Sequence, residues 1–276
     1  MPVMASQSAI ELRGVGVLRD ERWIVRDIDW SVPAGACVAM LGPNGCGKST
    51  LARVICGYVW PTRGSVSVGG ARFGQTDLNA LRRDVRLVQA AGPLEVDPEM
   101  TAEQVVLTGS GGTLGLYDPP DDANRRRAAE LLAAVGLARV AGHSYRTLSS
   151  GERVRTLIAR AMFTDCRLLI LDEPTAGLDL LGREQVLAAV QRLSERDATS
   201  RPAIVLITHH VEELPPATSS VLLLSDGQSV QQGSPAEVLQ DEVLSRVYGC
   251  PVRVEHHDGR WWTRVRAGAW ETLAGR

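Results

Sequence analysis

Residues 42 to 50 read Gly42-Pro43-Asn44-Gly45-Cys46-Gly47-Lys48-Ser49-Thr50, which satisfies G-x-x-x-x-G-K-[ST] at every fixed position. The run before it, Cys37-Val38-Ala39-Met40-Leu41, is short and apolar, as suits a buried parallel strand. After it, Thr50 to Ile55 spaces its apolar residues as a helix does. Glycines let successive backbone N–H groups converge on phosphate without Cβ clashes, and the helix N-terminus adds the positive end of its dipole. In such a loop Lys48 reaches the β- and γ-phosphates, the Ser49 hydroxyl ligates Mg²⁺ and Thr50 adds an α-phosphate contact. The alternative, a glycine-rich turn with an incidental lysine, leaves the fixed positions and both flanks unexplained.

The chain has 276 residues, 44% hydrophobic and 22% charged, the balance of one globular unit with a small appendage. Its net charge of −2 offers no electrostatic case for nucleic acid. Arg125-Arg126-Arg127, the densest basic run, reads as a solvated helix face. Cys37, Cys46, Cys56, Cys166 and Cys250 show no C-x-x-C pair or metal spacing, so reduced thiols in the cytoplasm are expected. The first eight residues lack the basic-then-apolar order of a secretory leader. No apolar stretch approaches the ~20 residues of a membrane span. The chain is not expected to cross a bilayer by itself.

Along the chain, Ala9 to Leu12 and Ile28 to Val32 alternate as strands of a hairpin, and Pro61 is expected to close the helix region that follows the loop. Gly64 to Gly70 and Val85 to Gln89 read as further strands. From about residue 92 to 165 the character is helical, with Gly-, Pro- and Asp-rich loops at 109 to 122 and a helix over Ala128 to Val135 stopped by Gly136. Leu168 to Leu171 and Ile204 to Ile207 are continuous apolar runs, expected as buried parallel strands joined by a helix over Glu184 to Leu193. Val221 to Leu224 with Asp226-Gly227 opens a hairpin, and a small helix and hairpin extension, with Asp258-Gly259 at its turn, fills residues 236 to 276. Asp172 and Glu173 follow the first of the buried runs. Carboxylates at the C-terminal end of a parallel strand face the crevice where such sheets bind ligands. Asp172 is thereby placed to hold Mg²⁺ through water and Glu173 to polarise an attacking water.

These residues resemble a family. Over residues 8 to 235 the chain is similar to the nucleotide-binding subunits of ATP-binding-cassette (ABC) ATPases. Leu148-Ser149-Ser150-Gly151-Glu152 resembles the signature LSGGQ, Leu168 to Glu173 the Walker B strand, and Ala176-Gly177-Leu178-Asp179 the D-loop. Gln89 stands where the Q-loop glutamine belongs, His209 where the switch histidine belongs, and Trp23 where an aromatic stacks on adenine. The resemblance implies an α/β P-loop NTPase core of RecA type, an N-terminal antiparallel β subdomain and an inserted α-helical subdomain. It implies a Mg²⁺-dependent ATPase that works as a homodimer or heterodimer, two cassettes sandwiching two ATP molecules head to tail. Ser149 and Gly151 of one chain would then face the γ-phosphate held by Lys48 of the other. Glu173 acts as general base, Gln89 and His209 sense the γ-phosphate, and Gln89 joins Ser49 and Asp172 around Mg²⁺.

Two departures from the family pattern carry consequences. Ser150 replaces the second glycine of the signature, which costs little in a helix but strains a left-handed backbone. Glu152 replaces glutamine and brings a negative charge towards an anionic ligand, unless it points away or caps the helix. Trp23 has core packing as its competing reading. His209-His210 and His256-His257 suggest metal only weakly, because adjacent residues on a strand point to opposite faces. Trp261, Trp262 and Trp270 form either an interaction patch or a hairpin packed on the main domain.

The leading expectation is an energising subunit of a membrane transporter, peripheral on the inner face of the membrane and docked to a separate integral-membrane permease. Import is favoured, because importer ATPases of this family are commonly separate chains. Thr208 to Pro216 resembles a subgroup linked to molybdate- or iron-type transport, though the stretch is too short to choose a substrate. The competing expectation is a soluble ATPase of the same family, a mechanical switch with no permease. A small-molecule kinase would share the loop but leave the signature, the D-loop and His209 unexplained.

Overall fold

Two long antiparallel strands, β1 (Ser8–Arg19) and β2 (Arg22–Pro33), lead into β3 (Cys37–Leu41), the phosphate loop and α1 (Lys48–Ile55). This computed structural model describes residues 8–89, 96–110, 119–197 and 201–270. The helix stops at Ile55, before Pro61. Gly57 takes φ +70°, and Gly57 N–H and Tyr58 N–H return to the carbonyls of Val54 and Arg53, a glycine stop that acts ahead of the proline. Next come β4 (Arg63–Val68), β5 (Ala71–Arg72), α2 (Leu78–Asp84) and β6 (Val85–Gln89). The helical segment holds α3 (Ala102–Leu107), α4 (Asp122–Ala134) and α5 (Ser150–Ala161). Its expected start at 92–95 and the loop at 111–118 lie outside the described residues.

The chain then runs through β7 (Leu168–Asp172), α6 (Leu180–Ser194), β8 (Ala203–Thr208) and the hairpin β9 (Thr218–Ser225) and β10 (Gln228–Gly233). The last elements are α7 (Pro235–Val238), α8 (Asp241–Tyr248) and the hairpin β11 (Val252–His257) and β12 (Arg260–Val265). One antiparallel sheet has the order β2-β1-β4-β5; the main sheet has the order β10-β9-β3-β8-β7-β6. In the main sheet β3 runs parallel to β8 and β9, β7 parallel to β8 and β6, and only β10 is antiparallel. These are the α/β core, antiparallel β subdomain and helical insertion that the resemblance implies.

Strand alternation divides the core. Val38, Met40, Leu168, Ile170, Val205 and Ile207 face a cluster shared with α1 and the β1–β2 sheet. The intervening Leu169, Leu171, Ile204 and Leu206 face α3 to α6. With both faces covered, each strand must be apolar throughout, which is why β3, β7 and β8 read as unbroken hydrophobic runs. On that second side, Ala39, Leu41, Val221 and Leu223 meet Val238, Leu239, Leu244 and Val252 of the C-terminal elements. The C-terminal segment thus covers the part of the main sheet that carries the phosphate-loop strand.

Register brings the chemistry to one edge. Gln89 pairs with Asp172, Asp172 with Ile207, and Leu41 with Thr208, so β6, β7, β8 and β3 end side by side. The segments that carry Lys48, Glu173 and His209 follow β3, β7 and β8 from this edge.

Candidate functional site

The phosphate loop departs from β3 through glycines, two of which stand where a side chain would collide with neighbours. Gly42 has φ +154°, and a Cβ there would lie 2.2 Å from the Leu224 carbonyl oxygen. Gly47 has φ +102°, and its Cβ would lie 2.5 Å from Val25 Cγ1 and 2.8 Å from the Ile24 oxygen. The β9–β10 turn braces the loop from outside: Gly227 N–H donates to the Cys46 carbonyl at 3.2 Å, and Arg26 N–H donates to the Gly227 carbonyl at 2.7 Å. Asp226 and Gly227 both adopt positive φ, as a two-residue hairpin of this sequence requires.

Gly47 also caps α1, and having no side chain it leaves the first amides of the helix uncapped. Lys48 is only 5% exposed. Its ammonium donates to the carbonyl oxygens of Gly42 at 2.7 Å and Pro43 at 2.9 Å, closing the loop around the charge. Thr50 lies in the first turn of the same helix. Cys46 is buried beside it, and burial raises its thiol above the ordinary value although Lys48 opposes the shift. Cys37, Cys56 and Cys166 are pushed up to about 12 by burial. All five cysteines are free.

At the end of β7, buried Asp172 collects its neighbours. Ser49 Oγ donates to Oδ1 at 3.2 Å and Gln89 Nε2 donates to Oδ2 at 2.8 Å. A hydroxyl, an amide and a carboxylate from three separated stretches therefore meet at one point. Glu173 follows with φ +48°, an unusual backbone for a carboxylate, held by its N–H to the Ile207 carbonyl at 2.9 Å. Such strain persists only where surrounding structure imposes it, and it tends to mark functional positions. Glu173 Oε1 lies 3.1 Å from His209 Nδ1, and both side chains remain partly open. A cavity of about 270 Å³ opens beside them, lined by Glu173, Gly177, Thr208, His209 and His210 among others.

Strand alternation fails for the paired histidines. The rings of His209 and His210 lie 4.0 Å apart with a 40° tilt rather than on opposite faces, because β8 ends at Thr208. The Thr208 hydroxyl bonds Glu213 and accepts from His210 N–H, which turns the chain. Among the described residues, no three His, Cys, Asp or Glu side chains group as a metal site would.

The signature residues stand apart from this cluster. Ser149 is the N-cap of α5 in a capping box: Glu152 N–H donates to Ser149 Oγ at 3.3 Å, while a Glu152 carboxylate oxygen accepts from Ser149 N–H at 2.8 Å and from its hydroxyl at 2.9 Å. Glu152 therefore caps the helix. Ser150 is the first helical residue and has no left-handed backbone, so the glycine-to-serine departure imposes no strain. Gly151 is buried against Gly182 of α6, where a Cβ would come within 3.2 Å of the Gly182 Cα. Within one chain Gly151 is set against the start of α6, and Ser149 spends its N–H and hydroxyl on Glu152. Asp179 caps that same helix through Gly182 N–H at 2.8 Å, and Leu180 beyond it is 69% exposed.

Trp23 sits on β2, one residue before Ile24, whose carbonyl a Cβ on Gly47 would meet. The Arg63 guanidinium lies 4.5 Å over its ring and also pairs with Asp27. Trp261 is partly buried with the C-terminal elements, stacked on His256 at 4.3 Å, whereas Trp270 is exposed. Sequence reasoning missed the buried Arg155, which ties Val135, Gly151 and Gln185 together across α4, α5 and α6. It also missed Tyr248, whose hydroxyl donates to the His209 carbonyl at 3.0 Å. A lone charge mid-helix and a lone tyrosine carry no pattern that reveals distant partners.

The ABC transporter family model matches residues 25–176. An uncharacterized ABC transporter ATP-binding protein of Bacillus subtilis, YlmA, is 38% identical over 246 residues, covering 89% of this chain and 92% of that protein. The hemin import ATP-binding protein HmuV of Nocardia farcinica is 33% identical over 93% of this chain and 89% of its own length. A solved ATP-binding cassette, dimeric and bound to ADP and phosphate, superimposes with a TM-score of 0.67 at 25% identity, covering 82% of this chain and 98% of that one.

Proposed function

The chain belongs to the ABC transporter family of ATP-binding proteins, and on that premise we propose that it hydrolyses ATP to energise a membrane importer. The observation that carries the reading is the convergence of Ser49, Gln89 and Asp172 beside the phosphate loop, with the Glu173–His209 pair at the next strand end. Lys48 leaves the loop carbonyls for the β- and γ-phosphates, and the uncapped amides of α1 take the remaining phosphate oxygens. Residues 42 to 50 wrap the phosphates, and Trp23 offers its ring to the base. Glu173 orients the attacking water and accepts its proton, with His209 Nδ1 holding the carboxylate in place.

Ser49 and Asp172 offer the hard oxygens that suit Mg²⁺, and these two would hold it together with Gln89 once its amide turned its oxygen in place of the nitrogen now bonded to Asp172. When bound, the ion supplies charge neutralisation at the β- and γ-phosphates. On this reading the site of one chain is incomplete, because Gly151 lies against α6 and Ser149 is bonded to Glu152. A second cassette, identical or homologous, supplies them across the interface that the exposed Leu180 and Leu181 border. The dimeric state of the cassette described above supports this arrangement.

On this reading the translocation path belongs to a separate permease, with this chain docked on its cytoplasmic side; among the described residues no helix is long and apolar enough to cross a membrane. Similarity to a hemin import protein supports the import direction. The test is recovery of tagged Glu173→Gln protein from native membranes with Mg-ATP. An integral membrane protein recovered in stoichiometric amount is expected. Only soluble partners, beside normal ATPase activity of the wild type, would replace the permease-coupled reading with a soluble switch.

A further inference from the structure

The segment after residue 235 plays no part in the chemistry just assigned, yet it holds two pieces of the site. Tyr248, the last residue of α8, donates its hydroxyl to the backbone carbonyl of His209 at 3.0 Å. Burial drives its phenol far above the usual range, so it remains a donor. Arg260 on β12 reaches further. Its guanidinium forms a two-pronged pair with the Glu184 carboxylate on α6, and Nη2 also donates to the Glu212 carbonyl at 2.6 Å. Thr263 Oγ1 bonds Glu212 Oε2 at 3.4 Å. Val211 and Leu214 pack among Val238, Leu244 and Val252.

Residues His209 to Leu214 are thus clamped from two sides. Thr208 and its bonded Glu213 fix them to the end of β8, while Tyr248, Arg260 and Thr263 fix them to the C-terminal elements. The side chains of His209 and Glu173 line a cavity and are only half-buried, the His209 ring resting against that of His210. The backbone of His209 sets where both rings stand, and with it the 3.1 Å contact to Glu173. Arg260 adds a tie to Glu184, within two turns of the Asp179 cap, so the histidine and the start of α6 share one anchor.

We propose that Tyr248 and Arg260 are positioning residues for hydrolysis: the C-terminal helix and hairpin set the His209–Glu173 geometry and leave nucleotide binding alone. The inference rests on the reading that His209 and Glu173 serve the hydrolytic step. Its test compares full-length wild type with Tyr248→Phe, Arg260→Gln and Arg260→Lys. Loss of one hydrogen bond to a partly buried carbonyl should lower kcat about three- to tenfold. ATP affinity, measured directly with a fluorescent analogue, should stay within about twofold, because the hydrogen bonds of both residues go to His209, Glu212 and Glu184 and not to the loop amides or Lys48. Arg260→Lys should recover part of the rate lost in Arg260→Gln.

A second readout is the His209 ring resonance in protein carrying labelled histidine, which should move in Tyr248→Phe. A purely architectural role would lower thermal stability and ATP affinity together and leave no selective kcat effect; that result overturns the proposal. Unchanged kcat in Tyr248→Phe and Arg260→Gln overturns it too, as does an unmoved His209 resonance. Failure of the underlying reading looks different: His209→Ala would then turn over ATP at the wild-type rate, whatever happens to the resonance in Tyr248→Phe.

Discussion

The chain presents two helix N-termini that would meet phosphate, and they are prepared in opposite ways. At α1 the cap is Gly47, with no side chain and a left-handed backbone, so the first amides are left open and Lys48 waits on loop carbonyls. At α5 the cap is Ser149, whose hydroxyl and N–H are both committed to Glu152. An uncapped terminus is an anion site awaiting its ligand, whereas a capped one has satisfied itself. On the function proposed above, the first would belong to a half-site that one chain completes. The second would give up its self-made cap for a ligand that a different chain brings. The two termini would then be the two halves of a switch: one always ready, one engaged only on assembly.

The strongest way to break that contrast is at the ready terminus. Lys48→Ala removes the charge that neutralises the phosphates and should cut kcat/KM by about a thousandfold. A steady-state phosphate-release assay reads it, and near-normal turnover would remove the phosphate loop from the chemistry. Glu173→Gln separates chemistry from binding. It should lower kcat by about a hundredfold or more while ATP still binds, so that the dimer persists in size-exclusion chromatography with Mg-ATP. A variant that stays monomeric where the wild type dimerises would mean that the two termini do not meet across an interface.

Gly47→Ala probes the geometry of the ready terminus itself. Its Cβ would collide with the backbone oxygen of Ile24 at a φ that alanine adopts only at a cost of about 1–3 kcal/mol. Nucleotide affinity should fall about tenfold and the thermal midpoint should drop, with ATP restoring less of it than in wild type. Equal ATP-induced stabilisation in the two proteins would show that the loop tolerates a different path.

Much of this contrast is legible in the sequence, and the reasons differ by element. The phosphate loop reads clearly because its chemistry is local: nine consecutive residues contain the glycines, the lysine and the hydroxyls. Strands β3, β7 and β8 read clearly because burial on both faces leaves unbroken apolar runs. Glu152 stays ambiguous as sequence, since S-x-x-E marks a capping box only where a helix starts there, and Ser149 proves to be that start. The histidine pair misleads, because the strand whose alternation would separate the rings ends one residue too soon. Tyr248 and Arg260 are illegible because their partners lie 39 and 76 residues away, and no periodicity records a contact of that range.

The smallest expected effect is the sharpest test of the capped terminus. Glu152 carries a full negative charge where the first turn of α5 favours one, a gain of about 0.3–1 kcal/mol to the helix at low salt. If a second cassette brings a γ-phosphate to Ser149, as proposed, the same charge would oppose the approach. Glu152→Gln preserves the reciprocal hydrogen bonds of the box and deletes only the charge. The isolated chain should therefore melt a degree or two lower, while ATP-driven dimerisation should tighten about two- to fivefold. Opposite signs for the two effects distinguish charge from packing, which would move stability and dimerisation the same way. Raising the ionic strength from low salt towards 1 M shortens the screening length from ~30 to ~3 Å and should erase most of the gain in dimer affinity. If Glu152→Gln dimerises no better than wild type at low salt, the carboxylate has swung away from the incoming phosphate, and the capping seen in the single chain is released on assembly.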